Sequence, residues 1–344
     1  MASRTICIIN VGGADVSSNL LPRLINLQAT IKAGGVSDTA SFELDDSDGA
    51  ILLPRDGVSV EITLGDDQQG VAPIFIGVVD EVKSAGSRSS GRTLTISAKG
   101  VDTKGKPKEP QQKHWDNQSL SSVFSDAAQR AGLTARVDPS LGSIQRPYWA
   151  MQGESFLHWG ERIAREVGGT FKVVGNIAVL AKRNGGMSPS GGSLAVVSAA
   201  YGVNLISWDL APFLGRPRYR KTKVRWYDQK KAEWVIEEVE VADPDAQAEF
   251  TGRYSAADSG EAKNNAESRK TDSERGKGGG SVTINGNNSA EPEGTCLVSG
   301  VRPGIDGIYR IDTVNHDFSR GTGWTTRLDL KQPHGEAGQD GRGG

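Results

Sequence analysis

The residues best suited to chemistry are few and scattered. Four histidines, His114, His158, His316 and His334, and two cysteines, Cys7 and Cys296, are the side chains most apt to hold a metal or to move a proton. No pair of histidines has HExxH or other ligand spacing. His158 falls inside a helical pattern and reads as packing, and His316 follows a strand-like run and reads as structural. The cysteines lie in the apolar runs "TICII" and "TCLVS", where a thiol behaves as a small buried hydrophobe; they form no disulfide framework. There is no G-x-S-x-G elbow, no P-loop and no dinucleotide fingerprint, and "RGKGGGS" lacks the phosphate-loop spacing. The pairs Asp45/Asp46 and Asp66/Asp67 stand in turn-like stretches that favour solvated aspartate. The expectation is a chain that is not an enzyme and holds no cofactor or metal.

One constellation points to binding. Arg216, Arg218, Arg220, Lys221, Lys223 and Arg225 are interleaved with Tyr219, Trp226 and Tyr227 in a run that turns near 228–231. Cations alternating with aromatic rings suit a nucleic-acid strip, so a nucleic-acid-binding β-barrel protein using the hairpin 216–231 is the alternative function. The plainer reading is a cross-strand salt ladder, because the returning strand carries Glu237, Glu238 and Glu240. A third is a contact between subunits through Arg218, Arg220, Lys223, Arg225 and Trp226.

The bulk composition narrows the classes. The chain has 344 residues and a net charge of −2, room for two or three domains and no global attraction to nucleic acid or anionic lipid. Charge is uneven: residues 1–103 hold 8 Lys+Arg against 13 Asp+Glu, and residues 104–183 hold 12 against 7. The N-terminal "MASRTICIIN" is too short and polar for a signal peptide, and no apolar run is long enough to span a bilayer. A soluble protein made in a reducing cytoplasm follows.

The elements that would position these residues are mainly strands. "VSVEITLG" alternates strictly, with Val58, Val60, Ile62 and Leu64 on one face. With "RTICII", "INLQATI", "TASFEL", "PIFIGVVDEV" and "RTLTISAKG" it predicts about six strands in residues 1–103, a closed or nearly closed antiparallel barrel or a sandwich. After the polar linker 104–112 the period changes. "SLSSVFSDAAQRAG" and "ESFLHWGERIAREVGG" read as helices with Ser119 and Ser155 as N-caps and Gly132 and Gly168 at the C-terminal ends. At an offset of 36 residues these two helices and the strands that follow coincide, so 113–183 reads as a small α+β module. A second linker, 183–193, leads to strands again over 194–333, with a polar helical insert near 255–280 that lacks an apolar stripe and is either solvated or ordered on assembly. The tail 334–344 reads as flexible.

A repeat ties the ends together. "VDEVKSAGSRSSGRTLTIS" (79–97) and "IDTVNHDFSRGTGWTTRLD" (311–329) align without a gap at an offset of 232. Carried two residues past 97, the alignment makes Asp80/Asp312, Val82/Val314, Ser87/Ser319, Arg88/Arg320, Gly91/Gly323, Thr93/Thr325 and Lys99/Lys331 identical. Two barrels of one fold in one chain would let three chains present six quasi-equivalent surfaces in a closed ring. Trp324, standing where the first copy has Arg92, is a place where a threefold partner could tell the two apart.

The stretch "GIYRIDTVNHDFSRGTGWTTRLDL" resembles the C-terminal signature of the phage late-control protein D family, on Gly307, Tyr309, Ile311, Val314, His316, Gly323, Trp324, Thr326 and Leu328. "GESFLHWGERIAREVGGTFKV" is similar to that family's middle domain and "FIGVVDEV" to its first barrel, so the resemblance covers roughly 1–333. It implies a baseplate hub of a contractile phage tail or related injection machine, similar to the N-terminal part of the valine-glycine repeat spike proteins of type VI secretion. It implies two tube-type β-barrels per chain and a homotrimer joining a sixfold tail tube protein to a threefold spike. The chain ends soon after the second barrel, so the resemblance implies a separate spike protein. Other baseplate proteins and a tape measure are further expected partners, with DNA passing through the lumen without specific binding and no stable membrane insertion. The expected location is the virion tail baseplate, assembled in the host cytoplasm.

Overall fold

The computed structural model describes residues 4–34, 37–89, 91–101, 105–183, 185, 194–214, 219–241 and 246–343. The first stretch forms β1 (Thr5–Val11), β2 (Ala14–Asp15), the short helix α1 (Ser17–Leu20), β3 (Leu24–Lys32), β4 (Thr39–Asp45), β5 (Ser59–Asp66), β6 (Gly70–Ser87) and β7 (Gly91–Lys99). The alternation read from the sequence decides their faces. Val60, Ile62 and Leu64 are fully buried with Ile9, Leu27, Phe42 and Leu94.

The middle stretch runs β8 (Pro110–Ser119), α2 (Leu120–Arg130), β9 (Thr134–Val137), α3 (Pro139–Gly142), β10 (Gln145–Ser155), α4 (Phe156–Val167), β11 (Gly169–Val174) and β12 (Ile177–Lys182). Both long helices begin as their sequences predict: Ser119 Oγ accepts the N–H of Ser122, and Ser155 Oγ accepts that of His158. α4 ends where Gly168 turns left-handed at φ 69°. Phe124, Phe156, Trp159 and Phe171 interlock by edge and tilted contacts at the centre of this core.

The last stretch adds β13 (Val196–Ala200), β14 (Leu205–Ala211), β15 (Tyr219–Asp228), β16 (Glu233–Glu240), β17 (Ala248–Thr251), α5 (Ser259–Arg275), β18 (Gly279–Asn285), β19 (Thr295–Ser299), β20 (Gly307–Ser319) and β21 (Gly323–His334). The polar segment near 255–280 is therefore a helix. A capping box starts it, with Asp258 accepting the N–H of Glu261 and Glu261 accepting that of Ala257. It needs no wide apolar stripe because Ala262 and Ala266 are small enough to seat its backbone directly on β15 and β16.

The chain is mainly β and largely antiparallel, with the longer helices in the middle stretch and the insert and only the short α1 in the first stretch. Hydrogen bonding runs through both β stretches as one thirteen-stranded sheet, in the order β14-β18-β21-β20-β3-β4-β7-β6-β5-β1-β2, with β19 and β13 branching from β20. Among the described residues the ends of this path do not pair with each other. Two separate cores lie along it, one on the first strand set and one on the last.

The tail differs from the flexible segment expected of its composition. Ala337 is buried against the last core, Gly338 N–H donates to Gly304 O at 2.8 Å, and Asp340 pairs with Arg302 at 3.4 Å. Small residues and the Asp340–Arg302 pair hold this Gly-rich tail against the turn at 302–304.

Candidate assembly interface

The two strand sets follow one plan. In the first, the order is β3-β4-β7-β6-β5-β1; in the last it is β14-β18-β21-β20-β19-β13. Numbered by position in the chain, with the two-residue β2 and the separate sheet β15–β17 left aside, both read second, third, sixth, fifth, fourth, first. The registers agree as well. Lys99 faces Val78 and Thr39, and Lys331 faces Arg310 and Gly279. The turns close on the pairs Ser87/Gly91 and Ser319/Gly323, and both glycines have φ 75°.

Irregularities repeat too. A β-bulge falls between Val79 and Glu81, and another between Ile311 and Thr313. The bulged residues Asp80 and Asp312 each hold a lysine at 2.7 Å, Lys99 and Lys331. A second bulge pair lies between Leu24 and Asn26 and between Leu205 and Ser207. The sets differ at one flank, where β1 runs antiparallel to β5 and β13 parallel to β19.

The last set carries more charge at its bulge. Arg275, at the end of α5, reaches Glu293 at 2.7 Å and Asp312 at 3.1 Å. Burial opposes the Arg275 charge, but Glu293 and Asp312 outweigh it and hold its pKa above the ordinary value. The "GKGGG" run that follows is a packing device. A Cβ on Gly280 would stand 2.0 Å from Asp209 O and one on Gly279 2.3 Å from Leu330 O, so only glycine lets β18 lie between β14 and β21.

The two sets join within the chain by one antiparallel ladder. β20 pairs with the outer edge of β3, from Thr313 opposite Lys32 to Phe318 opposite Leu27. Asn315 and Thr30 meet side by side there, Oδ1 to Oγ1, at 2.9 Å. Side chains cross the joint as well: Gln69 donates to Gly286 O, and Asn288 donates to Leu64 O and Gly70 O.

Trp324 belongs to this joint. It is 7% exposed and packs into the core of the first set, with its Nε1 toward His316 Nδ1 at 3.4 Å. Its sequence equivalent, Arg92, reaches back to Ser47 O at 3.0 Å. A side chain so enclosed offers a partner little surface, so the difference between Arg92 and Trp324 acts inside the chain. His316 is fully enclosed beside it, and burial pushes its pKa down to about 4.

The basic hairpin is β15 and β16, paired from Lys221 opposite Glu240 to Asp228 opposite Glu233. Three of its cations are ion-paired. Lys221 lies 3.3 Å from Glu238, Lys223 2.7 Å from Glu249, and Arg220 2.9 Å from Glu249. Hydrogen bonds from Lys223 and Arg220 hold the Glu249 carboxyl down to about 2. Arg225 stacks over Trp234, and Trp226 Nε1 donates to Glu237. Glu249, from β17, is the partner that the sequence pattern missed; only the parallel pairing of β15 with β17 brings it alongside. Arg218 and Arg216 lie outside the described residues. Among the described residues no group of three or more His, Cys, Asp or Glu could hold a metal ion, and no helix is long and apolar enough to cross a membrane.

The family model of the phage tail baseplate hub (GPD) matches residues 34–322, a span that runs from the loop after β3 to the tip of the β20–β21 hairpin. The chain belongs to the phage tail baseplate hub (GPD) family. The probable baseplate hub protein of Escherichia phage 186 is 31% identical over 186 residues, which is 54% of this chain and 46% of that relative. The alignment thus spans less than half the length of that curated relative. Among solved structures, the tail protein of Neisseria meningitidis MC58 superposes with a TM-score of 0.70 at 14% identity, covering 95% of this chain and 96% of that one. The c3393 protein of E. coli, a component of the type VI secretion system, superposes at 0.57 and 10% identity, covering 96% of this chain and 77% of that one. At such identities these likenesses establish the fold. Members of the baseplate hub family are structural components of the virion tail.

Proposed function

We propose that this chain is a non-enzymatic structural hub that assembles as a homotrimeric ring of pseudo-sixfold symmetry. On this reading residues 1–103 and 194–333 are two tube-type units, 113–183 is the α+β unit between them, and the ring adapts a tail tube to a separate spike protein. Other baseplate proteins and the tape measure are its further neighbours, and DNA passes through the lumen without specific binding.

The observation that carries the reading is the shared strand order and shared bulges of the two sets. A chain holding two copies of one unit turns a threefold assembly into six near-equal positions. The two ends of the units support the adaptor role. The hairpin tips 87–91 and 319–323 sit at one end and are near copies. The middle stretch leaves from Lys99 and returns at Val196, and the 212–278 excursion leaves from Ala211 and returns at Gly279. All four points lie at the level of the Lys99 and Lys331 pairs, the other end of the units. One end thus repeats six times round a ring and suits a sixfold partner. The other carries features present once per chain and suits a threefold one. The ion pairs of Arg220, Lys221 and Lys223 on β15 favour packing over nucleic-acid capture.

Solution mass tests the reading. Light scattering of the chain, alone and mixed with its spike, should give three copies, and electron microscopy should show a ring with six similar lobes. A chain that stays monomeric in both conditions would sink it.

A further inference from the structure

We infer that the ring closes by repeating the chain's internal joint between copies: residues 81–86 of β6 in one copy pair antiparallel with residues 208–213 of the next, along β14 and just past its end, with Lys83 opposite Ala211. This rests on the ring reading above and adds the contact and its register. The argument starts from the joint that exists. β20 is bent by its bulge, so that its first residues pair with β19 and its later ones, from Thr313, pair with β3. β6 has the same bulge, and its first half pairs with β5. Beyond the bulge, the edge of β6 equivalent to the joined edge of β20 has no strand partner among the described residues. β14 is the equivalent of β3, since both flank the third strand of their set and both carry the same bulge. The outer edge of β14 is the end of the sheet path and is likewise unpaired among the described residues. The chain therefore holds one completed joint and the two complementary halves of a second.

Exposure marks the same two edges. Leu27, on the joined edge of β3, is fully buried, whereas its equivalent on β14, Trp208, is 42% exposed. His316 on β20 is 2% exposed, whereas its equivalent on β6, Ser84, is exposed. Long unpaired edges and uncovered large apolar side chains are features that soluble folds normally cover. A second copy of the chain presents the one surface already known to fit each of them. Because the two edges are different surfaces, the contact is head-to-tail, and it closes if the rotation completes a ring. The register follows by equivalence from Asn315 opposite Thr30, which places Lys83 opposite Ala211. One departure bears on strength. Pro212 stands where Ile31 stands in the internal joint, so the ladder between copies has one N–H fewer.

The test uses the full chain carrying Lys83→Cys and Ala211→Cys. Cys7 and Cys296 are buried and should stay silent. Mild oxidation should give a ladder of covalent dimers and trimers on a non-reducing gel. Each single variant alone should give none, and the two single variants mixed should give dimers only. Lys83→Cys with Asp209→Cys, slipped by two residues, should cross-link far less. A chain that is trimeric by mass but cross-links at the slipped pair, or at neither, overturns the contact and leaves the ring standing. A chain that stays monomeric both alone and mixed with its spike overturns both. As a check independent of cysteine chemistry, Trp208→Glu should weaken self-association at least tenfold with an unchanged circular dichroism spectrum. Unchanged association would count against the proposed edge.

Discussion

Asp80 and Asp312 occupy the same β-bulge of two hairpins that lie 232 residues apart, and each holds the equivalent lysine at 2.7 Å. A bulge leaves one residue out of the ladder and re-aims its side chain. Finding the same bulge, the same acid and the same lysine twice goes beyond what turn chemistry alone would produce. It also ties the hairpins to different neighbourhoods, because only Asp312 meets Arg275 as well.

That difference predicts unequal costs. Asp312→Asn leaves Arg275, itself 10% exposed, short of a charged partner and should cost about 2 kcal/mol. Asp80→Asn breaks a pair whose lysine is 39% exposed and should cost below about 1 kcal/mol. Urea unfolding of the two variants checks the order; equal losses would mean that the α5 contact contributes little.

His316 predicts a loss of stability in acid. Its folded pKa of about 4 lies below the ordinary 6.5, so the unfolded chain binds more protons between those values. Its contribution is complete above about pH 6.5 and falls as pH drops toward 4, by up to about 1.4 kcal/mol per pH unit. The His316→Gln variant should lose this slope. Unfolding midpoints of both proteins at pH 7, 5.5 and 4.5 give the difference, and parallel curves would show that the imidazole is not the group responsible.

Trp324 predicts coupling of the two strand sets. Trp324→Ala removes a large side chain from the first core and should cost about 3–5 kcal/mol. Gly286→Ala acts from the other side, because its Cβ would stand 2.1 Å from the indole ring; a cost of about 1–3 kcal/mol follows. Calorimetry of Trp324→Ala should show the cooperative transition broadening or splitting. A sharp single transition at the original temperature would contradict the coupling.

The cysteines should be inert in the folded chain. Burial pushes both thiols up to about 12, which leaves almost no thiolate near neutral pH. A thiol reagent at pH 8 should label neither Cys7 nor Cys296 until denaturant is added. Fast labelling of the native chain would mean that one of the two β cores opens readily.

Much of this was legible in the sequence for a simple reason. Strict alternation such as 58–64 leaves one choice of face, so strand identity and burial follow from residue type. The helix starts at Ser119 and Ser155 were readable because a hydroxyl at that place satisfies N–H groups that have no other partner. The repeat was visible because Asp80, Gly91 and Lys99 recur at fixed offset in 312, 323 and 331. The fate of the basic run was half legible. Glu238 and Glu240 were in view across the hairpin, but Glu249 comes from a parallel strand whose register no local pattern encodes.

The sequence by itself therefore determined the mainly β character, the two hairpins and their likeness, since these depend on contacts between residues close along the chain. Only the tertiary structure decided that Trp324 is enclosed, that β20 joins β3, and that, among the described residues, β6 beyond its bulge and β14 each keep one edge without a strand partner. The reason is physical. Backbone N–H and C=O groups are the same at every residue, so which edges meet is settled by the bends and bulges of whole strands, which a list of side chains does not contain.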